Sequence, residues 1–135
     1  MTVQRLKGRV ALVTGGAVRL GRAIALRLAA EGADVAIHYH RSAEAAAQTR
    51  EDIERHGVRS AGIQADLASA PAETALQAFE DANKVLGPVD LLVNSAAIFE
   101  PSRLGDLTPD VWSRHERLNR EAPLWLAQAF VQQLP

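Results

Sequence analysis

The stretch Val10-Ala11-Leu12-Val13-Thr14-Gly15-Gly16-Ala17-Val18-Arg19-Leu20-Gly21-Arg22 runs from an apolar strand through a glycine-bearing turn straight into a helix. Gly15 and Gly21 let the backbone turn sharply and approach an anion, while the amides and positive dipole end of the following helix stabilise negative charge. That order of elements suits a dinucleotide pyrophosphate, held by Gly15, Leu20 and Gly21. The spacing is not the common G-x-G-x-x-G, because Arg19 stands where many such loops carry another glycine and projects a long cation instead. On the letters alone, an ordinary strand-to-helix turn with a packing glycine is the alternative. Leu20, Ile24 and Leu28 are expected on the buried face of the helix.

Outward from this stretch, strand and helix signals alternate. A helix from Leu20 to Ala30 precedes an apolar strand at Val35–Tyr39, and a second helix from Ala43 to His56 is closed by Gly57. A third strand fits Ser60–Ala65. The next helix has Ser69 as cap and Pro71 in its first turn, and ends near Leu86. Val89–Val93 reads as a strand covered on both faces, and a last helix runs from Thr108-Pro109 toward Leu134. This alternation predicts a doubly wound parallel sheet in three α/β/α layers. Such a sheet normally continues past its fourth strand, so the C-terminal part of the fold is expected to lie outside these residues, leaving residues 1–135 alone inactive.

With 135 residues, 47% of them hydrophobic, and a net charge of -1, the chain has the composition of one α/β domain, spanning residues 1–135. Nothing in that balance points to a nucleic-acid or membrane partner. The absence of cysteine excludes disulfides and thiolate metal sites, and no metal is expected. The segment Met1 to Arg9 lacks the apolar core of a signal peptide, so a soluble, cytoplasmic protein is expected.

The end of the second strand reads His38-Tyr39-His40-Arg41-Ser42, with no Asp or Glu from Val35 to Ala43. A carboxylate here would accept from the adenosine ribose of NAD and repel a 2′-phosphate; Arg41, Ser42 and His40 can donate to one, which favours NADP(H). Ser42 capping the next helix, with Arg41 a solvated charge, is the plainer alternative. Asp66, directly after the third strand, can accept from the amine of adenine while the Leu67 amide meets its ring, or it can simply cap a turn. Asn94-Ser95-Ala96-Ala97 has side chains small enough for a cofactor to pass, or for a tight buried turn. In the last helix, Pro123 has no N–H for the carbonyl of Asn119, which is thereby freed to hold water or marks a bend over the core. Leu118, Leu124, Trp125, Leu126 and Phe130 read as core or subunit-interface residues, and a dimer or tetramer through this helix is expected.

Taken together, these segments resemble the N-terminal half of the short-chain dehydrogenase/reductases over essentially the whole chain. The resemblance implies a Rossmann fold, with Thr14-Gly15 through Gly21 as cofactor loop, Asp66-Leu67 as adenine contact, Asn94, Ser95 and Ala96 beside the cofactor, and Asn119 as the active-site asparagine. Its main-chain carbonyl would hold a water in the proton relay. Gly-Ala-Val-Arg-Leu-Gly-Arg together with His-Tyr-His-Arg-Ser is similar, more narrowly, to the pteridine reductases, which use NADPH to reduce pterins and folates. That likeness implies Arg19 at the pyrophosphate and the pterin, and Phe99 stacked on the ring. Ser95 replaces the second asparagine of the family segment, and Glu100 stands where an aromatic is expected. The family's Tyr-x-x-x-Lys has no counterpart: the single tyrosine, Tyr39, has Ala43 four places on. The readings left open are reduction of a pterin-like heterocycle, reduction of another small carbonyl substrate, and a non-catalytic NADP-binding module.

Overall fold

The computed structural model describes residues 3–135; residues 1 and 2, which begin the polar N-terminal segment, lie outside them. Its strands are β1 (Val10–Val13), β2 (Asp34–Tyr39), β3 (Ser60–Gln64) and β4 (Leu91–Val93), joined in one parallel sheet of order β3-β2-β1-β4. Register is continuous across β1: Val13 pairs with Ile37 on one side and Val93 on the other. The crossovers are α1 (Arg19–Ala30), α2 (Ala43–Glu54) and α3 (Pro71–Leu86). They divide the core in two. One cluster joins Leu12, Ala36, Ile63 and Leu67 to Phe79 of α3; the other joins Val13, Val35 and Ile37 to Ala25, Ala29 and Ile53 of α1 and α2. This is the three-layer parallel α/β architecture expected from the alternation.

Several local expectations are corrected. The face α1 buries is Gly21, Ala25 and Ala29, a stripe of small residues that brings the helix close to the sheet, while Leu20 is 68% exposed. Ser42 makes no side-chain cap to α2, which ends at Glu54 before Gly57 turns the chain with φ 80°. Ser69 does not cap α3 either; the N-cap is Ala70, left-handed at φ 43° ahead of Pro71, in keeping with a proline's exclusion of αR from its predecessor. β4 is confined to Leu91–Val93 and half-buried, because it is an edge of this sheet.

The last helix starts as expected, with the Thr108 hydroxyl accepting from the Val111 amide at 3.3 Å, but it is not continuous. α4 (Pro109–His115) and α5 (Ala122–Gln132) are separated by a π-helical turn over Glu116–Glu121, in which the Ala122 N–H donates to the Arg117 carbonyl. Pro123 has no N–H to continue the i→i−4 pattern at Asn119, and the wider winding falls on that turn. Leu126 is buried, Phe130 meets Phe79 with ring centroids 6.3 Å apart, Leu118 and Trp125 pack partly against the same core, and Leu124 is 59% exposed. Among the described residues no helix is long and apolar enough to cross a membrane.

Candidate functional site

The C-terminal ends of the parallel strands carry the loops that build the site, the usual location for a ligand in an open α/β sheet. Gly15 has φ 61°, and a Cβ there would lie 2.9 Å from Ala96 Cα, so the glycine loop and the turn after β4 touch through a missing side chain. A Cβ on Gly21 would lie 2.0 Å from the Gly15 carbonyl oxygen. Arg19 adopts φ 50°, the left-handed conformation that a glycine at this position takes without strain. The N-cap of α1 is Val18, whose side chain makes no capping bond, so the amides of the first turn stay directed toward the loop.

Buried polar side chains hold these loops. The Thr14 hydroxyl oxygen accepts from the amides of Ser95 and Ala96 at 3.1 and 3.0 Å. Thr49 of α2 donates to the Ala17 carbonyl at 2.9 Å and accepts from Arg22, whose other arm meets Asp52 at 2.7 Å. His38 accepts from the Gly15 amide at 3.1 Å through Nδ1, and its Nε2 lies 2.8 Å from the Ala65 carbonyl. None of these tethers was assigned from sequence. Thr49 and His38 bond partners 32 and 27 positions away, which no local pattern encodes.

A cleft of about 280 Å³ opens over these turns, and Gly15, His40, Arg41, Ser42, Asp66, Leu67 and Ala96 of the expected cofactor residues all line it. The Asp66 carboxylate accepts from the Ala68 amide at 3.0 Å through one oxygen, a turn-capping role, and faces His40 Nε2 at 3.9 Å with the other. Arg41 has no ion-pair partner among the described residues, and the exposed Ser42 hydroxyl is free of any capping bond. Arg19 does not line this cleft; it borders a shallower depression with Arg22, Gln48 and Thr49, and Leu20 and Gly21 lie beside it at the start of α1.

Asn94 and Ser95 lead out of β4, the Asn94 amide 3.5 Å from the Pro123 carbonyl. Asn119 clamps the segment beyond them: its Oδ1 accepts from the Ile98 amide at 2.9 Å and its Nδ2 donates to the Ile98 carbonyl at 2.8 Å. Phe99, next along, is 85% exposed and plugs no part of the core. Glu100 turns toward α4, where Arg114 grips both carboxylate oxygens at 3.0 and 2.7 Å and holds the carboxyl below its ordinary range. Its amide donates to His115 Nε2 at 3.0 Å. Among the described residues no group of three His, Asp or Glu could hold a metal ion.

The short chain dehydrogenase profile matches residues 9–135. The chain belongs to that family. Within it, the chain is 36% identical over 124 residues to versicolorin reductase of Emericella nidulans, covering 92% of this chain and 46% of that protein. It is 35% identical over 131 residues to general stress protein 39 of Bacillus subtilis, covering 96% and 45%. The chain thus spans about half the length of the curated relatives it matches. Among solved structures, a Burkholderia cenocepacia short chain dehydrogenase in complex with NADP superposes with a TM-score of 0.92 at 43% identity, over 96% of this chain and 52% of that one. A blue fluorescent protein from a metagenomic library, in complex with NADPH, gives 0.90 at 41%, over 97% and 53%.

Proposed function

We propose that this short-chain dehydrogenase family member is an NADPH-dependent reductase of a small carbonyl or imine substrate. The observation that carries the reading is the cleft, where Arg41 and Ser42 stand at the end of β2 without a partner among the described residues and with no Asp or Glu from Val35 to Ala43, the stretch where a carboxylate would repel a 2′-phosphate. The residues fit the dinucleotide elsewhere too. Gly15 and Gly21 leave the room a pyrophosphate needs against the α1 amides, and Asp66 and Leu67 stand at the adenine end. Asn94, Ser95 and Ala96 lead from β4 toward Ile98, which Asn119 holds by both peptide groups, and we assign this segment and Asn119 to the reacting end. When bound, the cofactor supplies a hydride to the substrate carbon. Relatives named as reductases and neighbours crystallised with NADP or NADPH support the same reading.

A planar pterin-like heterocycle is the narrower substrate reading. It is favoured by the exposed Phe99 ring and by Arg19, whose left-handed backbone stores strain that a functional cation would justify. The exposed outer face of the last helix, with Leu124 and Val131, is the surface we assign to a dimer or tetramer interface. The test is titration of the full-length protein with NADPH and NADH. NADPH should bind more tightly, and Arg41→Ala should weaken NADPH by about 1.5–3 kcal/mol, one to two decades, while leaving NADH nearly unchanged. Equal or tighter NADH binding by the wild type refutes the assignment.

A further inference from the structure

We propose that His38 is the positioning residue of the cofactor loop: held as a neutral imidazole, it pins the Gly15 amide through Nδ1 and the Ala65 carbonyl through Nε2–H. The inference rests on the cofactor reading above. A backbone amide can only donate and a backbone carbonyl can only accept, so the two partners dictate the tautomer. Nδ1, 3.1 Å from the Gly15 nitrogen, must be bare; Nε2, 2.8 Å from the Ala65 oxygen, must carry the proton. The His38 carbonyl accepts in addition from the Gly16 amide at 3.0 Å, so one residue of β2 fixes successive amides of the glycine loop on one side and the end of β3 on the other. Its side chain lies under the cleft and is almost fully buried, with the residue 4% exposed.

Those bonds join the turn that would hold the pyrophosphate to the turn before Asp66 that would hold adenine, and so set the spacing between the pyrophosphate and adenine sites. A protonated imidazole would present an N–H to the Gly15 N–H and break the first bond. Burial opposes that protonation and lowers the group from its ordinary 6.5. Among the charged groups around it, His40 adds to the lowering, the Ala65 bond and Asp66 act against it, and Arg41 lines the same cleft. Because the unfolded chain takes up the proton first as pH falls, the stability contributed by the tether is full above about 6.5 and is lost below it, whereas in the folded protein the bond itself persists to the lower folded value.

The experiment measures NADH and NADPH dissociation constants from about pH 5 to pH 8 for wild type, His38→Asn, His38→Leu and His40→Gln. NADH is the decisive ligand, since it lacks the 2′-phosphate that titrates in the same range. Wild type should lose NADH affinity only at the acid end of this range, below the ordinary 6.5, where the folded-state imidazole takes up its proton, and His40→Gln should keep that loss. His38→Asn offers an oxygen where Nδ1 was and does not titrate, so it should bind within about threefold of wild type at neutral pH and show no acid loss. His38→Leu should bind about tenfold or more weakly at every pH. Nitrogen NMR of the wild-type imidazole should show a bare Nδ1 and a protonated Nε2, a readout that needs neither cofactor nor variant.

A protonated Nδ1 at neutral pH, wild-type affinity in His38→Leu, or an acid loss that survives in His38→Asn or vanishes in His40→Gln overturns the proposal while leaving the cofactor reading standing. Wild-type protein that binds neither dinucleotide at neutral pH overturns the cofactor reading, and the role of His38 with it.

Discussion

Replacing Gly21 by alanine sets two effects of opposite sign against each other. Gly21 lies in the first turn of α1, where alanine is intrinsically the better helix former by about 1 kcal/mol. The added Cβ, however, would sit 2.0 Å from the Gly15 carbonyl oxygen, 2.7 Å from its carbon and 3.2 Å from Gly16 Cα. Real Cβ atoms essentially never come within 3.0 Å of such atoms, so helix and loop must separate by about 1 Å. The atoms met are backbone, which cannot rotate away as a side chain would. Overpacking of this kind costs about 1–3 kcal/mol, and a displaced loop also forfeits the Gly15 and Gly16 bonds to His38, about 1 kcal/mol each. The net expectation for Gly21→Ala is therefore a loss of about 2–4 kcal/mol, with NADPH affinity down more than about tenfold because the same loop carries the pyrophosphate site.

Urea denaturation of the full-length protein measures the first quantity and NADPH titration the second. Gly105→Ala is the control: nothing lies within 4 Å of its Cβ position, and its stability should stay within about 0.5 kcal/mol of wild type. A Gly21→Ala protein as stable as wild type, or more so, would show that helix propensity governs the position and that the close approach is not a property of the folded molecule.

Thr49→Val keeps the shape of a buried side chain but strips the Ala17 carbonyl and Arg22 of their shared partner; it should cost about 1–3 kcal/mol in urea denaturation, and a change under about 0.5 kcal/mol would refute the tether. Phe99→Ala should raise the KM for dihydropterin or dihydrofolate several-fold while leaving NADPH binding nearly unchanged, since Phe99 is exposed and is not among the residues lining the cleft, and stacking is worth about 0.5–1.5 kcal/mol. Ready reduction of ketones or quinones with no activity on pterins would remove the narrower substrate reading and keep the broader one.

The fold was legible because it depends on local patterns: apolar runs for the strands, glycines at their ends, Thr108-Pro109 and Gly57 at helix boundaries. The unusual Arg19 was legible as a departure from glycine, and its φ of 50° shows that the backbone there keeps the glycine conformation. What stayed hidden had non-local causes. The buried stripe of α1 follows from how near the helix lies to the sheet, which selects Ala25 and Ala29 over the larger and more hydrophobic Leu20. Glu100 departs from the aromatic residue expected beside Phe99, and only the fold reveals that Arg114 and His115 draw it toward α4.

Loops at the C-terminal ends of the strands must present free amides and small side chains to a ligand, so they cannot be fixed by packing apolar groups over themselves. This chain fixes them from behind with polar side chains. Thr14 holds the turn after β4, His38 the glycine loop and the end of β3, Thr49 the middle of the glycine loop, and Asn119 the segment carrying Phe99. Thr14, His38 and Thr49 are buried, where an unmade hydrogen bond costs more than a made one returns, so displacing any of these turns leaves a polar group stranded. Asn119 is the exposed exception, and it bonds both the amide and the carbonyl of Ile98, fixing that residue's peptide groups in orientation as well as in position. The cleft therefore keeps its shape without a ligand, and little of the binding free energy of a dinucleotide need be spent on ordering the loops that receive it.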